Sequence, residues 1–123
     1  MRQVVVTGGG TGIGRAVAAA FAAAGDQVVI TGRRPDVLVK TAADLGPSVR
    51  PVPFDASEPA QVTAALSELP PHLNVLVNCA GGNTDIGAPD PANLSELAAA
   101  WHANLSANVL SAVLVTTALR PRL

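Results

Sequence analysis

A chain of 123 residues is the length of about one small domain, and 49% hydrophobic against 14% charged residues gives it a core to bury, which excludes intrinsic disorder. The net charge is -1, with seven scattered arginines and a single lysine, Lys40, so no basic stripe is laid out for nucleic acid or an anionic membrane. The one cysteine, Cys79, excludes an internal disulfide, and with only His72 and His102 beside it no metal site is expected. Met1 is not followed by a signal-peptide layout and no apolar run reads as long enough to span a membrane, so the expected compartment is the cytoplasm. The sequence holds no tyrosine.

Glycines and prolines divide the chain into alternating short apolar runs and longer Ala/Leu-rich runs, the pattern that builds parallel sheets from repeated βα units. Gln3 to Thr7 is a β-branched strand of the kind covered on both faces, and it empties into Gly8-Gly9-Gly10-Thr11-Gly12-Ile13-Gly14. Arg15 to Ala24 reads as a thin, alanine-rich helix stopped by Gly25. A second strand, Gln27 to Thr31, leads through Gly32-Arg33-Arg34 to a helix from Pro35 to about Leu45. Val49 to Phe54 reads as a third strand, which Pro51 and Pro53 confine to a sheet edge. A helix from about Glu58 to Leu69 stops at Pro70-Pro71, and Asn74 to Asn78 is the fourth strand. Cys79-Ala80-Gly81-Gly82 and a polar loop through Asp90-Pro91 then lead to a long helix from about Ser95 to Leu119. The expectation is one domain over 1–123, an α/β doubly wound parallel sheet with strands in the spatial order 3-2-1-4 and right-handed crossovers.

A strand that opens through glycines into a helix presents bare backbone amides at a positive helix end, where phosphate can be held. The spacing selects among nucleotide folds. A P-loop read from Gly9 fails at Arg15 and Ala16, and GxGxxG fails because its third glycine falls on Ile13 or on Arg15. The TGxxGxxG pattern of nucleotide-sugar epimerases fails at Thr11. What fits is Thr7-Gly8-x-x-x-Gly12-x-Gly14, which resembles the TGxxxGxG signature of the short-chain dehydrogenase/reductase family, with the 3-oxoacyl-carrier-protein reductases as the nearest type.

Further segments extend that resemblance over the whole chain. Asp55, followed by Ala56, matches the family acid that hydrogen-bonds the adenine amino group. Asn78-Cys79-Ala80-Gly81 is similar to the family's NNAG run, with Cys79 in place of the second asparagine. Trp101, Asn108 and Pro121 resemble the W-(x)6-N segment and helix exit, and the spacing favours Asn108 over Asn104 as the family asparagine. The resemblance implies a Rossmann-like cofactor domain in which Thr7, Gly8, Gly10, Thr11, Gly12, Ile13, Gly14, Asp55, Ala56, Asn78, Ala80 and Gly81 surround a nicotinamide dinucleotide. It also implies that Asn108 sits under the active site and helps hold a water in a proton relay.

An enzyme for NAD needs a carboxylate on the ribose 2′-OH at the exit of the second strand, and one for NADP needs cations on the 2′-phosphate. No acid lies between Thr31 and Pro35, and Arg33 and Arg34 stand there, so NADP is favoured over NAD, with Arg15 as a further contact. On the long helix Asn104, Asn108 and Ser111 fall on one stripe; if buried, they require partners, and for Asn104 an interhelical hydrogen bond is expected. His72, His102 and Cys79 are read as loop, surface and turn residues without a chemical role.

In the family a tyrosine donates the proton to the carbonyl, a lysine four residues later lowers its pKa, and a serine orients the substrate oxygen. All three belong on the strand and helix that follow Asn108, and the residues up to Leu123 are expected not to reach that strand. The expectation is therefore the cofactor half of an NADP-dependent oxidoreductase acting on a carbonyl or alcohol, incomplete relative to the family. Its remainder would lie in further polypeptide or a second chain, and the parent is expected to be a homo-oligomer. The alternative is a non-catalytic or vestigial nucleotide-binding module.

Overall fold

The computed structural model describes residues 1–82 and 87–123, so the part of the expected polar loop at 83–86 lies outside the described residues. Four parallel strands, β1 (Gln3–Thr7), β2 (Gln27–Gly32), β3 (Val49–Pro53) and β4 (Val75–Asn78), lie in the order β3-β2-β1-β4. The register pairs Val5 with Val29 and with Leu76, and Ile30 with Pro51. Helices α1 (Gly12–Ala23), α2 (Pro35–Leu45) and α3 (Pro59–Ala65) follow the first three strands. The long helix runs as α4 (Leu94–Leu105), a π turn (Ser106–Leu110) and α5 (Ser111–Leu119).

Alternate side chains of β1 and β2 point to opposite faces, and each face has its own core. Val5 and Val29 pack with Val52, Phe54, Val62, Val115 and Leu119 on the side of α3 and α5. Val4, Val6, Val28 and Ile30 pack with Ala18, Leu38 and Ala42 on the side of α1 and α2. The prolines of β3 sit at the outer edge as expected. Alternate N–H groups of a strand point the same way, so Pro51 and Pro53 lack donors on one side only, and Phe54 N still donates to the Gly32 carbonyl (3.0 Å).

Four expectations need correction. Helix α1 starts at Gly12, so the last glycines of the turn form its first turn instead of preceding it. Helix α3 ends at Ala65: Leu66 N and Glu68 N bond back to Thr63 and Ala65 three residues earlier, which tightens the chain into turns before Pro70. The asparagine stripe is not a buried one, since Asn108 is exposed and only Ser111 is buried. Finally, Leu94–Arg122 is a continuous helical run of 29 residues whose best window has mean hydropathy 1.2, long and apolar enough by length and composition to cross a membrane. The sequence reading missed it because His102, Asn104 and Asn108 interrupt the apolar run without charging it. The run's inward residues Val115 and Leu119 pack into the core beside α3.

Candidate functional site: a cleft at the carboxyl ends of the strands

The carboxyl ends of the four strands and the middle of the long helix surround a cleft of about 610 Å³. It lies where β1 and β4 diverge into opposite crossovers, the position at which doubly wound sheets bind ligands. Gly8, Gly10 and Thr11 come from the turn after β1, Arg33 and Arg34 from the exit of β2, and Asp55, Ala56 and Ser57 from the exit of β3. Ala80 and Gly81 follow β4, and Ala103, Ser106, Ala107 and Ser111 close the cleft from the long helix.

The glycine turn is shaped by close backbone approach. Gly8 has φ +64°, and a Cβ there would stand 2.6 Å from the Cys79 carbonyl oxygen; a Cβ on Gly14 would collide with the Gly8 carbonyl. The turn can therefore lie against both the chain after β4 and the first turn of α1 only with glycine at these positions. Thr7 is buried and its hydroxyl oxygen accepts from the amides of Cys79 and Ala80, both at 3.1 Å, which fixes the two strand exits to each other.

Asp55 is held by its own loop. Its Oδ1 accepts from Ser57 N (2.9 Å) and Ser57 Oγ (2.7 Å), and its backbone N–H donates to Gln61 Oε1 (2.8 Å). At the exit of β2, Arg33 and Arg34 are exposed, and neither guanidinium has a partner among the described residues. Arg15 is placed differently from expectation: its guanidinium reaches Thr41 Oγ1 (3.3 Å) and Asp44 Oδ2 (3.5 Å) on α2, and it does not line the cleft. Arg15 has a pair of acceptors three residues apart on the neighbouring helix, which the linear sequence does not reveal.

Asn108 sits at the π turn, where the Ser111 amide bonds the Ser106 carbonyl five residues back. Its Nδ2 donates to the carbonyls of Gly82 (2.8 Å) and Asn104 (2.9 Å), and its Oδ1 accepts from Gly82 N (2.9 Å). The Asn104 side-chain oxygen also lies 3.4 Å from Asn108 Nδ2, so its partner is within its own helix, not on another one. Asn78 donates to Thr116 Oγ1 (2.9 Å), tying β4 to α5. Gly12 and Ile13 are exposed at the start of α1. Thus Gly8, Gly10, Thr11, Arg33, Arg34, Asp55, Ala56, Ala80 and Gly81 line the cleft, whereas Thr7, Gly12, Ile13, Gly14, Arg15, Asn78 and Asn108 support or flank it. Ser57 and Ser106 join the lining without having been singled out from sequence, and Ser111 of the helix stripe joins it too.

The sequence profile of the short chain dehydrogenase family matches residues 2–123. The chain belongs to that family. Sulfoacetaldehyde reductase 2 of Chromohalobacter salexigens is 37% identical over 125 residues, covering 98% of this chain and 48% of the relative. A short-chain dehydrogenase/reductase structure from Mycobacterium ulcerans is 33% identical with a TM-score of 0.83, covering 98% of this chain and 46% of the other. The RhlG/NADP active-site complex of Pseudomonas aeruginosa is 30% identical with a TM-score of 0.78 and the same coverage, 98% and 46%. This short-chain dehydrogenase chain spans about half the length of these relatives.

Proposed function

We propose that the cleft binds NADP and that the parent protein transfers hydride between NADPH and a carbonyl or secondary alcohol. One observation carries the cofactor choice: two arginines without partners open onto the same cleft as the glycine turn, and no carboxylate lies between Thr31 and Pro35. Guanidinium forks suit a 2′-phosphate, and a site for the free ribose hydroxyl would carry an acid there.

The donor set fits a dinucleotide at each end. The amides of Gly12, Ile13 and Gly14 open α1, whose positive end suits the pyrophosphate. Ser57 occupies one oxygen of Asp55, leaving Oδ2 to accept from an adenine amino group. Thr7, Asn78, Ala80 and Gly81 hold the wall toward β4, and Asn108 keeps the long helix against Gly82, where it would hold a relay water. When bound, the nicotinamide supplies the hydride. Proton delivery to the substrate oxygen needs a group titrating near neutral pH, and the tyrosine, lysine and serine that the family uses are not among these residues.

The absence of tyrosine favours a second reading for the 123 residues by themselves, a dinucleotide-binding unit without carbonyl turnover. The parent protein is read as cytoplasmic, homo-oligomeric or completed by a second chain, and directed at a small carbonyl or alcohol with no nucleic-acid or membrane partner. Fluorescence titration with NADPH and NADH tests the cofactor reading: tighter NADPH binding is expected, and equal or absent binding overturns it. A turnover assay on the 123 residues with NADPH and a ketone separates the readings, since activity there overturns the second.

A further inference from the structure

A chain of hydrogen bonds ties the glycine turn to α2. The Thr41 hydroxyl, on a residue only 2% exposed, donates to the Gly10 carbonyl at 2.7 Å. Arg15 Nη1 reaches Thr41 Oγ1 at 3.3 Å, and its Nη2 reaches Asp44 at 3.5 Å. An arginine can only donate, so it takes a lone pair of the Thr41 hydroxyl and leaves the hydroxyl proton for the Gly10 carbonyl. The peptide unit is planar and trans, so a carbonyl held toward Thr41 turns the Thr11 N–H the opposite way. Gly10 and Thr11 both line the cleft, and the Thr11 N–H has no partner among the described residues. Glycine offers little resistance to rotation of this peptide, so a tie from outside the turn has to set it.

We propose that Thr41 is a positioning residue of the cleft. It locks the Gly10–Thr11 peptide with the Thr11 N–H presented to an acceptor oxygen of the bound dinucleotide, and Arg15 acts through Thr41 instead of reading the 2′-phosphate itself. The role in binding rests on the nicotinamide dinucleotide reading of the cleft; the lock itself is a property of the free protein.

The test uses the protein at its natural length, with NADPH and NADH titrated by fluorescence and the Thr11 amide followed by 15N–1H NMR without ligand. Thr41→Val weakens both dinucleotides about tenfold, the loss of one well-placed hydrogen bond, while Thr41→Ser stays within about twofold of the parent. Arg15→Leu weakens both by a common, smaller factor. The Thr11 resonance moves in Thr41→Val and holds in Thr41→Ser. If valine is not accommodated in the fold, Thr41→Ala removes the same hydroxyl without added bulk. Parent-like binding by Thr41→Val or Thr41→Ala, or an unmoved Thr11 amide, overturns the proposal. A loss in Arg15→Leu confined to NADPH overturns the part assigned to Arg15 and puts that side chain on the 2′-phosphate. If the parent protein binds neither dinucleotide, the cofactor reading fails, and the Thr11 resonance of the free protein still decides the lock.

Discussion

Asn108 and Gly82 face each other through two hydrogen bonds: the side-chain amide donates to the Gly82 carbonyl at 2.8 Å, and its oxygen accepts the Gly82 N–H at 2.9 Å. The same Nδ2 also reaches the Asn104 carbonyl one turn back, inside the stretch where the helix widens to a π turn. A single residue thus anchors the chain leaving β4 and coincides with the irregular turn under the cleft. π turns of one repeat occur often at functional sites because they re-aim side chains.

Replacing Asn108 by alanine removes both bonds to Gly82. Gly82 is exposed, so water satisfies its backbone in part, and the expected cost is about 1 kcal/mol of stability. The clearer sign is local: the Gly82 amide should exchange with solvent faster while amides of β1 remain protected. Gly81→Ala should disturb the same contact from the other side, because a Cβ there would meet Asn108 Oδ1 and Gly81 sits at φ +136°. Unchanged Gly82 exchange in Asn108→Ala would show that the pair is dispensable.

Arg33→Ala tests the cofactor reading at its most specific point. Charge-assisted bonds to phosphate are worth about 1.5–3 kcal/mol, so NADPH affinity should fall on the order of tenfold or more while NADH is nearly unchanged. Parallel losses for the two dinucleotides would remove Arg33 from the 2′-phosphate.

Asp26, at the entry to β2, gives the fold an acid-sensitive clasp. Its carboxylate accepts from the Arg2 backbone N–H (3.2 Å), Nε (3.1 Å) and Nη2 (2.7 Å), and the Arg2 guanidinium lies over the Phe21 ring at 5.4 Å. The hydrogen bonds from the Arg2 side chain hold the Asp26 pKa below its ordinary value, against the opposing effect of burial. A carboxylate with a lowered folded-state pKa adds stability that is present above the unfolded value, about 4, and is lost as pH falls through the folded one. Asp26→Asn should therefore flatten the acid limb of a stability-against-pH curve and leave the slope between pH values of about 6 and 8 unchanged. An acid limb as steep in Asp26→Asn as in the parent would assign the acid sensitivity to other groups.

The strands and the edge position of β3 were legible because they are written locally. β-branched runs mark β1, β2 and β4, and Pro51 and Pro53 can be tolerated only on an edge, which puts β3 outermost. The glycine turn and Asp55 were legible for the same reason, their chemistry being carried by short spacings. What stayed hidden depends on contacts between distant segments. Arg15 and Thr41 are 26 residues apart, and Asn108 and Gly82 are also 26 apart. Arg122 caps the end of the α3 region from across the fold, donating to the carbonyls of Leu66 (2.9 Å), Leu69 (3.1 Å) and Pro70 (3.1 Å). No period or propensity in the sequence encodes such partners, and the shortened α3 gives way to turns closed by the Thr63 and Ala65 carbonyls.

The last prediction concerns the side of the sheet beyond β4. Among the described residues β4 pairs only with β1, so its other edge presents free N–H and C=O groups, and Val75, Leu76 and Val77 are only half-buried. The long helix, tied to β4 through Asn78 and Thr116, exposes Trp101 (63%), Leu105 (47%), Val109 (53%) and Val113 (53%), spaced four residues apart and so grouped along one side of the helix. Open edges pair with other chains. Burying one large aliphatic side chain gains about 1.5–3 kcal/mol, so several together outweigh the cost of bringing two copies together at ordinary protein concentrations. The 123 residues expressed by themselves should therefore self-associate, and sedimentation should show dimers or larger species at concentrations on the order of 10 μM, where a binding free energy of about 8 kcal/mol already populates complexes. Trp101→Gln combined with Val109→Lys and Val113→Lys should shift the distribution toward monomer. The triple variant should keep the melting of the sheet core, whose packing residues Val5, Val29 and Val52 lie elsewhere. A parent chain that sediments as a folded monomer at that concentration would show that the exposed stripe and the open edge are tolerated in water.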